Sequence, residues 1–557
     1  MKRAFFYFTT ILVLFAENCV AQNSETHNYN TAKNLELFNN IYKNLDLYYV
    51  DTLDASIVVG NAINYMLLTL DPYTAYYDEK ESKDLKSALT GKFAGIGSII
   101  KYSFKNQAVV IEEPSEGMPA AKAGLKKGDI ILSINDSSML KKSVSYVSNR
   151  LRGDAGTQLM LKVKRPSTGK TLRFKITRQL IETPSVPFYD IIDNGTIGII
   201  QLESFTENSS KEVRKAFLEL KKRGMTSLVL DLRGNGGGSE QEAVKIVNIF
   251  VDKDQPVVWN QGKNKRSKKE FRTTTSPLDN QIPIVVLVNG TSASASEITS
   301  GALQDFDRAV ILGERTYGKG LVQVTMDLPY NSMMKLTTGK YYIPSGRCIQ
   351  AIKYKHGSGG YVEHIPDSLA KEFKTKNGRI VKDAGGITPD IKLESDSMAN
   401  ITYYLFAADT TEIVSNYVYN YINKHDKIAS PKEFHLSDAD FEEFKQSVMN
   451  SNFTYDKETE KQLKKLIDYA KFEGYYEEAK QEFENLDKKL KHNVEKDLDF
   501  NKEQITYLIE NEIVRAYYYA KGGREHSLIF DKQLKEACKI LNNPEEYRKI
   551  LSPPSLN

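Results

Sequence analysis

Apolar residues return at helical spacing between about residues 23 and 87, with Leu35, Leu37, Ile41 and Leu45 in one run and Ile57, Val58, Ala62, Ile63, Met66 and Leu67 in another. The pattern predicts a helical N-terminal domain over 22–87. Its main stretch stops at Leu70-Asp71-Pro72-Tyr73, because a proline disfavours helical backbone at the residue before it and aspartate favours a turn. Over 88–180 the pattern changes to short β-branched runs, such as Val109-Val110-Ile111 and Leu159-Met160-Leu161-Lys162-Val163, divided by glycine and proline turns. That predicts a small β-rich domain. Over 181–395, strand-like runs at 197–202, 228–232, 284–288 and 309–312 alternate with a helical pattern through Val213, Ala216, Phe217 and Leu220. Strand, helix, strand in that order predicts a largely parallel sheet with crossover helices. Over 396–557 the chain is helical again and highly charged, with one stripe at Leu463, Leu466, Ile467 and Ala470 and another at Ile505, Leu508, Ile509 and Ile513. These stripes predict a bundle or arm packed on the rest, and they are too short for sustained heptads. The expected fold class is therefore multidomain, α+β and α/β.

The first residues read differently. Lys2 and Arg3 precede an apolar run from Ala4 to Ala16, with Cys19 and Ala21 ahead of Gln22. At about 13 residues the run falls short of the roughly 20 that a spanning helix needs. Residues 1–21 are therefore expected to be a cleaved signal peptide, leaving no transmembrane segment and an exported chain, periplasmic or extracellular. Glu17 and Asn18 stand where a lipid-attachment signal at Cys19 would want small apolar residues.

Composition narrows the chemistry. A chain of 557 residues exceeds one hydrophobic core, and 40% apolar with 27% charged residues is ordinary for globular domains. Its 76 basic and 72 acidic residues nearly cancel, which gives nucleic-acid binding no electrostatic support. Beyond the leader only Cys348 and Cys538 remain, far apart, and none of the seven histidines pair at helical metal-binding spacing. No disulfide, metal or organic cofactor is expected.

Three segments carry candidate chemistry. Asn289-Gly290-Thr291-Ser292-Ala293-Ser294-Ala295-Ser296-Glu297 follows a buried strand and opens a helix, where unpaired amides and a positive dipole end favour a developing oxyanion. The same residues also read as a capping box, Ser294 with Glu297. Gly318-Lys319-Gly320-Leu321-Val322-Gln323 places a lysine between glycines. Burial that lowers its pKa from about 10.4 would make it a general base, with Gln323 on the same side of the chain to orient the amine. A solvated turn lysine is the plain alternative, and Walker spacing is absent. Asp231-Leu232-Arg233-Gly234-Asn235-Gly236-Gly237-Gly238 exposes backbone amides suited to an oxyanion hole, although a tight turn would look the same. Local chemistry does not choose Ser294 over Ser292 or Ser296.

Taken together, Ser-Ala-Ser-Ala-Ser-Glu-Ile (292–298), Gly-Glu-Arg-Thr-Tyr-Gly-Lys-Gly (313–320) with Gln323, Leu-Arg-Gly-Asn-Gly-Gly-Gly (232–238), Tyr-Tyr-Ile-Pro-Ser-Gly-Arg (341–347) and Gly-Ile-Thr-Pro-Asp (386–390) resemble the C-terminal processing peptidases, or tail-specific proteases, of peptidase family S41. The resemblance spans roughly 70–395. It implies Ser294 as nucleophile, Lys319 as general base, Gln323 as its orienting residue, and an oxyanion hole from the amide of Ala295 and a glycine amide near Gly237. The β-rich domain resembles a PDZ module, with Gly95-Ile96-Gly97 as carboxylate-binding loop and Pro119–Ile131 matching the helix, turn and strand that follow. Expected partners are protein or peptide substrates with exposed apolar C-termini. Arg152 is a candidate sensor of PDZ occupancy, for which a plain surface cation is the simpler reading. The long region beyond Ser395 departs from a minimal member and is expected to scaffold the fold, restrict entry, or contact an adaptor or a second copy. A catalytically silent binding scaffold, and an esterase using Asp305 with His356 or His364, are the competing classes; the latter lacks a Gly-x-Ser-x-Gly elbow.

Overall fold

The computed structural model describes residues 26–263, 268–354, 362–406, 411–491 and 493–553, so the expected signal peptide, Cys19 and His356 lie outside the described residues. The described residues divide into two compact units, a smaller one of residues 26–79 and 323–337 with Tyr354 and Val362, and a larger one holding the other described residues.

In the smaller unit, residues 26–48 form a helix and Asp54 caps a second, Ala55–Leu68, by accepting from the Ser56 amide at 2.8 Å. The stripe expected to face a core faces water instead: Leu35 is 66% and Ile41 60% exposed. No described element covers this first helix. The break at Asp71-Pro72 is an Asx turn, in which Asp71 Oδ1 accepts from the amides of Tyr73 and Thr74 and Oδ2 from the Thr74 hydroxyl. The turn feeds the short strand Ala75–Tyr77, which pairs antiparallel with Met333–Lys335.

In the larger unit, five strands, Ser98–Ser103, Ala108–Pro114, Ile130–Ile134, Gln158–Lys164 and Thr171–Thr177, lie antiparallel in that order, with the helix Val144–Leu151 beside them. Alternate residues point into one core built from Val109, Ile111, Ile131, Val147, Leu151, Leu161 and Val163. Asp129 is fully buried there, and Arg165 grips it through both carboxylate oxygens at 2.8 and 2.7 Å.

The second sheet runs Phe188–Ile192, Ile197–Gln201, Ser227–Asp231, Ile284–Val288, Val310–Gly313, Ile391–Lys392, antiparallel at the first pairing and parallel thereafter. A parallel sheet needs both faces covered. Helices Ser209–Lys222, Glu240–Val247 and Ala295–Asp305 bury one face. The other is covered from the far end of the chain, by Leu534, Ala537, Ile540, Leu541 and Tyr547 on helices Lys532–Leu541 and Pro544–Ile550, packed on Val229, Val285, Leu287 and Leu312. These C-terminal residues therefore belong to the core of the sheet that holds the candidate site. Ile540→Ala is expected to cost about 2–5 kcal/mol in denaturant unfolding, as a buried large-to-small change does.

The rest of the C-terminal region is a helical domain with its own core of Ile401, Leu405, Tyr417, Phe434, Phe441, Phe444, Ile505, Ile509 and Ile513. The stripe through Ile505, Ile509 and Ile513 is buried as its spacing predicts, while in the other Leu463 and Ala470 are buried and Leu466 is exposed. Among the described residues no helix is long and apolar enough to cross a membrane.

Candidate active site

The strand Ile284–Val288 ends in a turn that is tied to its neighbour. Ser292 Oγ donates to the Leu232 carbonyl at 2.8 Å, and the Gly234 amide donates to Asn289 Oδ1 at 3.1 Å. Ser296 Oγ is likewise committed, donating to the Asn235 carbonyl at 2.8 Å, and both Ser292 and Ser296 are fully buried. Ser294 alone of the three is partly exposed. It caps the helix Ala295–Asp305 with φ 57° and ψ −113°, a strained backbone for a residue with a side chain. Such a turn at a strand-to-helix junction presents a side chain above the sheet.

Glu297 holds this turn. Its fully buried carboxylate accepts from the Ser294 amide (2.8 Å), the Lys319 amide (2.9 Å), the Gly318 amide (2.7 Å) and the Thr316 hydroxyl (2.5 Å). Burial pushes this carboxyl's pKa up, against the pull of those donors. The capping-box reading thus has a real Glu297 half, but the same carboxylate also fastens the backbone of the lysine loop. Tyr341 braces the two segments from the other side, its hydroxyl 2.5 Å from the Lys319 carbonyl and 3.3 Å from that of Ser294. The Gly-Lys-Gly turn is no loose surface loop. A Cβ on Gly318 would lie 2.3 Å from that of Ala351, and the Gly320 amide donates to Gln350 Oε1 at 2.7 Å.

Asn235 orders the glycine loop. Its side chain donates to the Leu202 carbonyl (2.7 Å) and accepts from the Gly237 amide (2.9 Å), while its own carbonyl accepts from the Ala293 amide (3.0 Å). The Gly237 N–H expected to face an oxyanion is therefore engaged by Asn235 in this arrangement. What Gly237 supplies directly is space: at φ 100°, a Cβ there would stand 2.7 Å from the Ala293 carbonyl oxygen, 2.8 Å from Ser294 Cβ and 3.0 Å from the Ala295 nitrogen. Gly237→Ala is expected to leave the fold intact and lower turnover roughly 100-fold, since displacements near an ångström at a reacting group cost that much. Peptide hydrolysis beside a thermal melt checks it.

Arg233, at the root of the loop, forms two bonds with Asp231 (2.9 and 2.7 Å) and reaches the C-terminal region at Asp531 (2.6 Å) and Gln533 (2.9 Å). Burial opposes its charge, but Asp231 and Asp531 together raise its pKa.

Gln323 belongs to the smaller unit, where its side chain donates to Thr337 Oγ1 at 3.3 Å and Thr337 in turn donates to Asp71 Oδ1 at 3.0 Å. Gly95 and Gly97 flank Ile96 at the entry to the first strand of the antiparallel sheet, and the Ile96 side chain is buried in that sheet's core. Arg152 caps Val144–Leu151, pairs with Asp84 at 3.4 Å and lies over the Phe93 ring at 5.0 Å. Both partners of that ion pair are exposed, so it contributes little stability. Asp305 is committed to the buried Arg347 at 2.8 Å and to the Ser345 amide at 2.9 Å, and the side chain of His364 lies outside what is described. Sequence reasoning did not single out Asn235, Tyr341 or Asp531. Asn235 and Tyr341 sit inside quoted motifs, whereas nothing near Asp531 marks it.

Comparison with known proteins gives three matches along the chain: Peptidase family S41 over residues 196–356, PDZ domain over 110–165, and Probable PDZ-protease, C-terminal helical domain over 401–541. A carboxy-terminal-processing protease of Bartonella bacilliformis is 34% identical over 357 residues, covering 63% of this chain and 81% of that protein. A probable CtpA-like serine protease of Staphylococcus epidermidis is 32% identical over 354 residues, 63% of this chain and 69% of the relative. Among solved structures, photosystem II D1 C-terminal processing protease matches 63% of this chain and 86% of its own, at 28% identity and a TM-score of 0.35.

Proposed function

The chain belongs to peptidase family S41 as a carboxy-terminal-processing serine protease with a PDZ domain, and on that premise we propose that it is an exported endopeptidase that captures protein tails and cuts them with Ser294 and Lys319. Ser294 Oγ attacks the scissile carbonyl while Lys319 Nζ takes its proton. The Ala295 amide at the helix start, with the Gly237 amide once it leaves Asn235, stabilises the oxyanion. Lys319 then protonates the leaving amine, accepts a proton from the incoming water, and returns it to Ser294 as the ester breaks. Gln323 is assigned to orienting the lysine amine. The Gly95–Gly97 loop receives a terminal carboxylate, and the tail lies as an added strand along Ser98–Ser103, with an apolar last side chain toward Ile96.

The observation that carries this reading is the Glu297 carboxylate, which binds the backbones of Ser294 and Lys319 at 2.8 and 2.9 Å and so makes them one framework. The location expected is the periplasm or the cell exterior. The test is incubation of the purified chain with an unfolded protein that ends in a free apolar residue, read by gel and mass spectrometry. Cleavage is expected, slower when the terminus is amidated and reduced by at least about 1,000-fold in Lys319→Ala, the scale on which loss of a general base is felt. An intact substrate after prolonged incubation refutes the protease reading and leaves a tail-binding scaffold, whereas unchanged cleavage by Lys319→Ala refutes the lysine as general base.

A further inference from the structure

Positive charge is concentrated in one domain. Positions 88–180 hold 17 basic and 6 acidic residues, whereas the whole chain holds 76 and 72, so the remainder of the chain is acidic. Three of the six acids in this domain are already engaged. Glu112 pairs with Lys101 and Lys127 at 2.8 Å each, Glu113 with Arg515 at 2.6 Å, and the buried Asp129 with Arg165 at 2.7 Å. Lys127 draws a further partner, Glu512, from the C-terminal region at 2.6 Å. The acids therefore serve internal contacts, and most of the cations are left without them.

Five of those cations share one face. In the strands Gln158–Lys164 and Thr171–Thr177, Leu159, Leu161, Val163, Phe174 and Ile176 point into the core. By alternation Lys162, Lys164, Arg173 and Lys175 point the other way, and Lys170 stands in the turn between the strands. All but the half-buried Lys162 are exposed. Lys162 lies directly opposite Arg173, and Lys175 opposite Met160. Side chains so opposed are about 5 Å apart at Cβ, where like charges repel. The next strand offers no relief, since it sets Ser133 against Lys162 and Ile130 against Lys164. Among the described residues no acidic side chain pairs with any of the five. The C-terminal helices touch the domain elsewhere, with Ser415 on Lys101, Glu412 on the Ser103 hydroxyl and Tyr419 against Gly128.

We propose that this outer face docks on a membrane surface of anionic lipid. Five cations on two neighbouring strands and their turn make a plane and not a groove, and a layer of phosphate headgroups is the partner that meets all five at once. The one aromatic ring of these strands, Phe174, packs inward, so no platform exists for stacked bases. Met160, 38% exposed among the cations, supplies an apolar side chain to the interface. Strand Ser98–Ser103, assigned above to the captured tail, is the opposite edge of the same sheet and stays open when the far end is docked. Each cation held near an anionic leaflet favours the bound state about fivefold. Attachment is thus reversible and sensitive to salt, whose screening length falls from about 10 Å at 0.1 M to about 3 Å at 1 M.

The test is co-sedimentation of the chain, purified after export, with vesicles of phosphatidylcholine alone or with about one-third phosphatidylglycerol. Partitioning at low salt is expected to be about 100-fold or more stronger on the phosphatidylglycerol vesicles, and to vanish at about 1 M salt. The triple variant Lys162→Gln, Arg173→Gln, Lys175→Gln is expected to lose about 100-fold of that partitioning. Its melting temperature should not fall, because opposed like charges have been removed, and its rate on a soluble peptide should stay within about twofold. Lys162→Arg, Arg173→Lys, Lys175→Arg, which keeps the charges, is expected to bind as the wild type does. Equal partitioning on both kinds of vesicle, or glutamine and wild-type proteins that bind alike, overturns the proposal. Polyglutamate that binds wild type and not the glutamine variant, with no binding to either vesicle, assigns the face to an acidic polypeptide and overturns the lipid reading too. Vesicle binding is read without substrate, so a chain that sediments as expected yet cleaves nothing defeats only the protease reading.

Discussion

Ser294→Ala is expected to lower peptide-bond hydrolysis by roughly four to six orders of magnitude, the loss seen when a nucleophile acting in concert with its base is removed. The fold should survive, because the replaced hydroxyl sits at a partly exposed position. The neighbouring serines make the sharper comparison. Ser292 and Ser296 each donate to a buried backbone carbonyl, of Leu232 and Asn235. Alanine at either position removes one donor and leaves that carbonyl its backbone partner, the Asn235 amide on Leu232 and the Ala293 amide on Asn235, so the expected cost is about 0.5–1.5 kcal/mol of stability. Activity in those two proteins should fall only as far as the distortion of the loop demands, well short of the Ser294 effect. Hydrolysis rates and unfolding curves on the three variants separate chemistry from support, and appreciable turnover by Ser294→Ala would remove it as nucleophile.

The second large effect is expected at Glu297, which never touches substrate in the proposed reaction. Removing its side chain in Glu297→Ala leaves the amides of Ser294, Gly318 and Lys319 without their acceptor in a buried place, a cost of about 1–3 kcal/mol for each amide that water cannot reach. Glu297→Gln is the more telling replacement, since it keeps the shape. Each carboxylate oxygen accepts from two donors, so whichever way the amide turns, its NH2 confronts at least one backbone N–H. Both variants are expected to lose about 100-fold or more in kcat, beyond any change in melting temperature, as the nucleophile and base segments drift apart. A Glu297→Gln protein with wild-type kcat would show that the framework is held by other contacts.

Much of the architecture was legible in the chain. The runs Ile197–Gln201 and Ile284–Val288 are apolar at nearly every position, as strands covered on both faces must be, and both lie inside the parallel sheet. The Asp71-Pro72 break and the stripe through Ile505, Ile509 and Ile513 were equally plain, because each rests on local geometry. The identity of the reactive serine was not. Three serines in alternation differ only in which carbonyls lie opposite, and those carbonyls come from residues some sixty positions away. The contacts of Asp531, Glu512 and Arg515 were hidden for the same reason. A charged residue on a helix looks the same whether it meets water or a buried partner from another domain. The stripe through Leu35 and Ile41 misled in the opposite sense, since periodicity reports a face that could be buried and says nothing of what would bury it.

Every polypeptide emerges from the ribosome from its N-terminus onward, so the segments that support a site can be made later than the site itself. Thr316, which donates to Glu297, accepts in turn from the amide of Ile387, and Leu534, Ala537, Ile540, Leu541 and Tyr547 cover the far face of the sheet that carries Ser294. Ser294 and Lys319 are both translated long before either piece. On the proposed reading, synthesis order is a safety catch: a half-made chain carries Ser294 and Lys319 without the parts that hold them in place.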